Sequence, residues 1–287
     1  MNDARSNENE AHIAASAEAN ALALDAAVIE DFARNGAVCL RGVFSTEWVD
    51  IVRRGIERNL AAPGPAASFA DGSEKRFFQD SNNWKRIEEF EAFVRLSPAR
   101  LIAAQLFSSR TVTFLHDHVL VKYAGATKPT PWHQDQPYSP VEGSQFCTMW
   151  MPVDPVPREA VLEFVGGSQR SGTWYRPQRF IDGSLRVDDD PRWALLPDIE
   201  ADRPAWPILG WGVQPGDVLV FHGLTLHGAP GNLRDTPRRI LSTRWLGDDA
   251  RVRRRSGKMS PPLPDDAPAD GEPFACEHFP LVWTDKE

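Results

Sequence analysis

Residues 111–123 read TVTFLHDHVLVKY, and this stretch decides the fold class. β-Branched and aromatic residues alternate along it, which is the period of a strand with two different faces. The same texture returns in QFCTMWMPVD (145–154), AVLEFVGG (160–167), DVLVFHGL (217–224) and RRILSTRWLG (238–247), with Gly and Pro punctuating the gaps. Several short strands of this kind predict a mainly β fold with flanking helices, built as an antiparallel sandwich or jelly roll. The stretch 171–210 does not alternate. It carries Trp174, Trp193 and Trp206 among many charges, and its length points to a functional insertion.

Upstream of residue 111 the spacing is helical. AAVIEDFARNG (26–36) predicts a helix stopped by Gly36, followed by a short strand from Val38 to Val43. Ser45 is placed to cap a second helix with Trp48, Ile51, Val52 and Ile56 on one stripe. Ile87, Phe90, Phe93 and Val94 mark a third, and Ser97-Pro98 opens a fourth. Residues 1–24 are polar and predict a disordered tail. The expected organisation is one domain over 25–287: a helical part (26–107), a barrel (111–247) and an irregular Pro- and Asp-rich segment (248–287).

A net charge of -8 leaves no excess of cations for phosphates and excludes nucleic acid as the main partner. Arg251, Arg253, Arg254 and Arg255 form the one basic run, expected to face water. Cys39, Cys147 and Cys276 make no Cys-x-x-Cys pair and no disulfide framework, which suits a reducing, cytoplasmic setting. No apolar run is long enough to span a bilayer, so no membrane is expected. Oligomeric state is left open by the sequence.

The chemistry concentrates in Pro131-Trp132-His133-Gln134-Asp135-Gln136-Pro137-Tyr138. In an extended segment His133 and Asp135 point to one side and Gln134 to the other. An imidazole and a carboxylate side by side supply two ligands of a three-ligand iron site with open positions. GDVLVFHGLTLHGAPGN (216–232) offers His222 or His227 as a third. Eleven residues beyond His227, Arg238 opens a strand, and a buried arginine fork suits a dicarboxylate cosubstrate.

The order His-Gln-Asp, a downstream Trp, GD-V-L-V-F-H, H-G-x-P-x-N and Arg resembles the phytanoyl-CoA dioxygenase family of 2-oxoglutarate oxygenases, over roughly residues 26 to 247. The resemblance implies a double-stranded β-helix, a cupin-like jelly-roll barrel. It also implies iron(II) on His133, Asp135 and His227, with 2-oxoglutarate and dioxygen consumed. Arg238 is implied to hold the distal carboxylate of 2-oxoglutarate, with Trp150, His118 and Gln134 around the cosubstrate. Ala229, Ala160-Val161 and Gln169 depart from the family pattern as local turn changes. Hydroxylation of an unactivated C–H bond is the default outcome, and desaturation, cyclisation or epimerisation share the same site. A non-catalytic metal-binding cupin and a zinc hydrolase are the competing readings. Arg238 speaks against the first, and the lack of an evident general base against the second. The substrate is expected to be a small or medium organic molecule. Lys122, Arg176, Arg179 and Trp174 are the residues expected to meet it, as an anionic group or, alternatively, as an apolar scaffold.

Overall fold

The structure is a computed structural model, which describes residues 22–180, 182–185, 193–274 and 276–285. Most of the expected tail therefore lies outside the described residues. Its last part packs: the Leu24 amide donates to Gln105 Oε1 at 2.8 Å, and Gln105 Nε2 returns a bond to Leu22 O at 3.0 Å.

Among the described residues four helices form, three of them bounded by residues that the sequence marks. Asp25 accepts from the Ala27 amide to open α1 (Ala26–Asn35), and Gly36 closes it with φ of 72°. Ser45 caps α2 (Thr46–Ala61), whose buried stripe includes Trp48, Ile51, Val52 and Ile56. α3 (Glu88–Leu96) and α4 (Ala99–Phe107) follow, with Ser97 Oγ accepting from the Ala99 amide. Gly55 lets α2 and α3 approach closely, since a Cβ there would lie 2.5 Å from the Phe90 ring.

The strands of the first half are β1 (Ala37–Leu40), β2 (Ser68–Phe69), β3 (Phe77–Ser81), β4 (Thr111–Lys122), β5 (Thr130–His133), β6 (Val141–Glu142) and β7 (Phe146–Pro152). Those of the second are β8 (Glu163–Val165), β9 (Ile208–Leu209), β10 (Val218–His222), β11 (His227–Ala229), β12 (Arg238–Leu246), β13 (Arg251–Val252) and β14 (Leu281–Thr284). β1 ends earlier than expected. The chain leaves the sheet at Arg41, which pairs with Asp217 at 2.7 Å, and turns through Gly42 at φ 58°.

The expected closed barrel is not formed; the fold is mixed β/α with three open sheets. Eight strands make one sheet in the order β1-β10-β7-β12-β4-β3-β2, with β14 also on β4. Four make a second in the order β5-β11-β8-β9, and β13 pairs with β6 alone. Among the described residues no ladder joins the edges of the two larger sheets. The edge strands are short, four residues in β1 and β5 and two in β2 and β9, and so offer few backbone groups to a closing ladder.

The large sheet has two buried faces. Val112, Phe114, Val119, Val121, Met149, Val220, Leu241 and Trp245 pack against the helices. The other face meets the four-stranded sheet through Trp150, Leu219, Phe221 and Ile240 against Phe164 and Ala229. Register arranges that inner face in rows: Lys122 opposite Arg238, Leu120 opposite Ile240, His118 beside Ser242 and Trp150, then His116 beside Arg244 and Thr148. Among the described residues no helix is long and apolar enough to cross a membrane.

Phe114 is fully buried, with its ring centroid 5.0 Å from that of Trp245 and 5.7 Å from that of Trp84. Phe114→Ala is expected to lower unfolding free energy by about 3–5 kcal/mol, through lost burial plus a cavity. Chemical denaturation measures it, and a change below about 1 kcal/mol would show that the helix–sheet core collapses around the gap.

Candidate metal centre

β5 ends at His133, and Asp135 already has helical φ/ψ of -75° and -42° at the start of a 3-10 turn. The expected extended His-x-Asp segment is thus half strand and half turn. It still brings both side chains to one point, because the turn folds Asp135 back under the strand end. β11 lies antiparallel to β5 with His227 directly opposite His133, and the two ring centroids are 4.1 Å apart. Asp135 Oδ1 lies 3.5 Å from His133 Nε2 and 3.7 Å from His227 Nε2. The three ligand atoms fall within 4.8 Å of one another.

The surroundings prepare these atoms for a cation. His133 Nδ1 donates to Pro131 O at 2.8 Å and His227 Nδ1 to Thr225 O at 2.9 Å, which turns both Nε2 lone pairs towards Asp135. Burial, and then the neighbouring His133, push the His227 imidazole down to about 3, so it stays neutral. Burial alone would raise the Asp135 carboxyl. The Arg244 guanidinium and the contacts from His133 and His227 together outweigh it and hold the group well below the usual carboxylate range. Asp135 Oδ2 accepts from Thr148 Oγ1 at 2.6 Å and Arg244 Nη2 at 3.2 Å, leaving Oδ1 free to face the imidazoles. Two imidazole nitrogens and one carboxylate oxygen, converging from one side, fit the His/carboxylate set of a non-heme iron site.

His222, the other histidine of that stretch, is committed elsewhere. Its Nε2 donates to Ser144 O at 2.7 Å, and its Nδ1 accepts from the Leu224 amide at 3.0 Å. Arg238 is buried on the inner face, with its guanidinium carbon 5.9 Å from the Trp150 ring and one nitrogen donating to Ala160 O. Burial draws it down to about 10, which leaves it charged. His118 shares the Trp150 row, and burial, then Arg244, pull it down to about 3.

Gln134 does something different from the expectation. Its Nε2 donates to Thr173 O and Leu224 O, both at 2.9 Å, and its Oε1 accepts from the Tyr175 amide at 2.9 Å. The whole amide is committed to backbone, two of its three partners in the insertion, and faces away from the metal ligands. Tyr138 acts in parallel, exchanging two 2.8 Å bonds with the backbone of Gln178.

Of the residues expected around the substrate, Trp174 and Arg176 both meet Trp193. Trp174 stacks on Trp193 at 6.0 Å, and Arg255, expected to face water, sits over both rings at 4.8 and 5.4 Å. Arg176 donates to Trp193 O at 3.3 Å, Arg179 is exposed, and Lys122 is buried opposite Arg238. Among the described residues of the insertion, Phe180 reaches the centre, its ring centroid 4.7 Å from that of His133 and 5.8 Å from that of Tyr138. On the opposite face of β5, Trp132 lines an open groove of about 720 Å³ with Glu163, Glu200 and Arg203, which the three metal-facing residues do not line.

Arg244 and Phe180 escaped the sequence reading. Arg244 had a signal: Arg238, Ile240, Ser242 and Arg244 share one face by alternation, so a second inward arginine was readable. Phe180 had none. Arg244→Met is expected to weaken divalent metal binding about 10–100-fold, with part of the loss restored in Arg244→Lys. Titration with Co(II), followed by visible absorption, measures this; wild-type affinity in the Met variant would reduce Arg244 to a packing role.

A family model described as phytanoyl-CoA dioxygenase (PhyH) matches residues 32–240, well over half of the chain. A probable phytanoyl-CoA dioxygenase of Caenorhabditis elegans is 25% identical over 130 residues, 43% of this chain and 38% of that protein. The match thus spans well under half the worm protein's length. The non-heme α-ketoglutarate-dependent carbocyclase SnoK of nogalamycin biosynthesis shares the fold, with a TM-score of 0.72 at 24% identity, covering 92% of this chain and 98% of SnoK. The epimerase SnoN in complex with Fe3+, α-ketoglutarate and nogalamycin RO does so with a TM-score of 0.71 at 21% identity, covering 90% of this chain and 98% of SnoN. The chain therefore belongs to the phytanoyl-CoA dioxygenase family.

Proposed function

We propose that His133, Asp135 and His227 hold iron(II), that Arg238 anchors the distal carboxylate of 2-oxoglutarate, and that the enzyme closes a ring in, or epimerises, a small or medium organic molecule. The observation that carries the metal assignment is the convergence of two imidazole Nε2 atoms on Asp135 Oδ1, with every other polar atom of these side chains bound to the protein. The carbocyclase and epimerase among the similar folds support ring closure or stereoinversion over plain hydroxylation.

When bound, iron and 2-oxoglutarate supply the oxidative chemistry, consuming dioxygen, releasing succinate and carbon dioxide, and removing hydrogen from a substrate C–H bond. The chain's own residues orient and shield. Thr148 and Arg244 keep Asp135 ionised and presenting one oxygen. Trp150 and His118 line the space between Arg238 and the triad. Phe180 and Tyr138 lay aromatic edges against His133, which excludes water and favours an apolar substrate surface. We also propose that residues 25–287 act as one domain and that the protein works in the cytoplasm, a placement its three free cysteines suit.

Anaerobic addition of 2-oxoglutarate to the iron(II)-loaded protein is expected to develop a weak visible charge-transfer band, absent in His133→Ala, Asp135→Ala and His227→Ala. Arg238→Ala is expected to raise the 2-oxoglutarate requirement about ten- to a hundredfold, as loss of a charge-assisted contact of about 1.5–3 kcal/mol implies. An intact band in the His227 variant would displace the ligand assignment. Mass spectrometry of the product then decides the outcome. Loss of two hydrogens without a new alkene in the NMR spectrum marks ring closure and an unchanged mass marks epimerisation, whereas gain of one oxygen would return the reaction to hydroxylation.

A further inference from the structure

Lys122 is 1% exposed, which is unusual for a lysine, and it sits at the far end of the inner face from the metal. It is the register partner of Arg238 on the neighbouring antiparallel strand, so both side chains rise from the same face with Cβ atoms about 4.5–5.5 Å apart. Its Nζ donates to Lys128 O at 2.9 Å and Pro230 O at 3.0 Å and lies 4.5 Å from the Phe77 ring centroid. An amine needs only those two donor bonds, whereas an ammonium carries a third N–H that wants an anion. The charged groups facing it are Arg238 on β12 and Asp71 from the β2–β3 connection. Asp71 Oδ2 accepts from the Arg76 amide, and its buried Oδ1 has no hydrogen-bond partner. β3 contributes the Phe77 ring, and the two loops contribute only carbonyl oxygens.

We propose that Lys122 and Arg238 together form a two-cation seat for the distal carboxylate of 2-oxoglutarate, and that Lys122 takes up one proton from solvent as that carboxylate arrives. This rests on the assignment of Arg238 as the anchor. Burial, and after it the charge of Arg238, pull the Lys122 ammonium down to about 6, so near neutral pH the free protein holds mainly the amine. A carboxylate at Arg238 offsets that repulsion and offers the third N–H an acceptor. The proton passes from buffer to Nζ, and no other bond changes. The sign follows from linkage. The complex binds more protons than the free protein, so affinity for 2-oxoglutarate falls as pH rises above about 6.

The test is calorimetric titration of 2-oxoglutarate into iron(II)-loaded protein, without oxygen, at about pH 7.5 in phosphate and in Tris. The enthalpy difference between buffers gives the protons taken up. Close to one proton is expected for the wild type. None is expected for Lys122→Met, for Lys122→Arg, or for wild type titrated with 2-oxobutyrate, which lacks the distal carboxylate. Wild-type affinity is expected to fall about eightfold between pH 6.5 and 7.5. No uptake in the wild type, or equal uptake in Lys122→Met or with 2-oxobutyrate, would overturn the proposal. The two wild-type measurements need no variant to fold. Arg238→Ala separates the layers: unchanged 2-oxoglutarate affinity there would remove the anchor assignment itself. Weakened binding there, with proton uptake persisting in Lys122→Met, would remove only the role of Lys122.

Discussion

The metal centre depends on the antiparallel pairing that sets His227 opposite His133. Directly opposed residues of an antiparallel pair point to the same side, so two histidines far apart in the chain become neighbours without any loop having to guide them. A slip of one residue would send one imidazole to the face occupied by Trp132. Register is held against that slip by Phe164 and Ala229, buried on the inner side of the same small sheet. The hydrophobic contact between the two sheets therefore also fixes the donor geometry.

Charge within the cleft is graded along the inner face of the large sheet. Arg244 and Thr148 hold the carboxylate at the metal end, and Arg238 and Lys122 face each other at the other end. Between them lie Leu120 and Ile240, then the row of His118, Ser242 and Trp150, which space the two charged ends. In a cleft poor in water each charge acts over a longer range than it would at the surface. Arg244 there acts together with His133 and His227 to keep the Asp135 carboxyl low although burial opposes them.

Much of this was legible in the sequence because it rests on local rules. Ser45 and Gly36 mark helix ends through backbone chemistry that the residues carry themselves, and β4, β7, β10 and β12 alternate strongly enough to be read as strands. Sheet closure was not legible. Alternation says which side a residue faces and is silent on which strands pair, so it could not show which strands would end as short, unpaired edges. Gln134 is the instructive residue. Alternation alone placed it facing away from His133 and Asp135, and family resemblance drew it towards the cosubstrate; its contacts follow the alternation. Lys122 and Arg238 were each noticed, but their opposition needed the β4–β12 register, a long-range fact.

The anchoring of the 171–210 insertion has a consequence for how such a scaffold diversifies. Gln134 and Tyr138 grip it through the carbonyl of Thr173, the amide of Tyr175 and both backbone groups of Gln178. Backbone groups are common to nearly every amino acid, so this grip is indifferent to what the insertion spells. Side chains between the anchor points are free to be rewritten, while the two gripping residues belong to the same short motif that bears His133 and Asp135. Recognition and oxidation are thereby joined by a generic coupling, a fixed engine with an exchangeable faceplate.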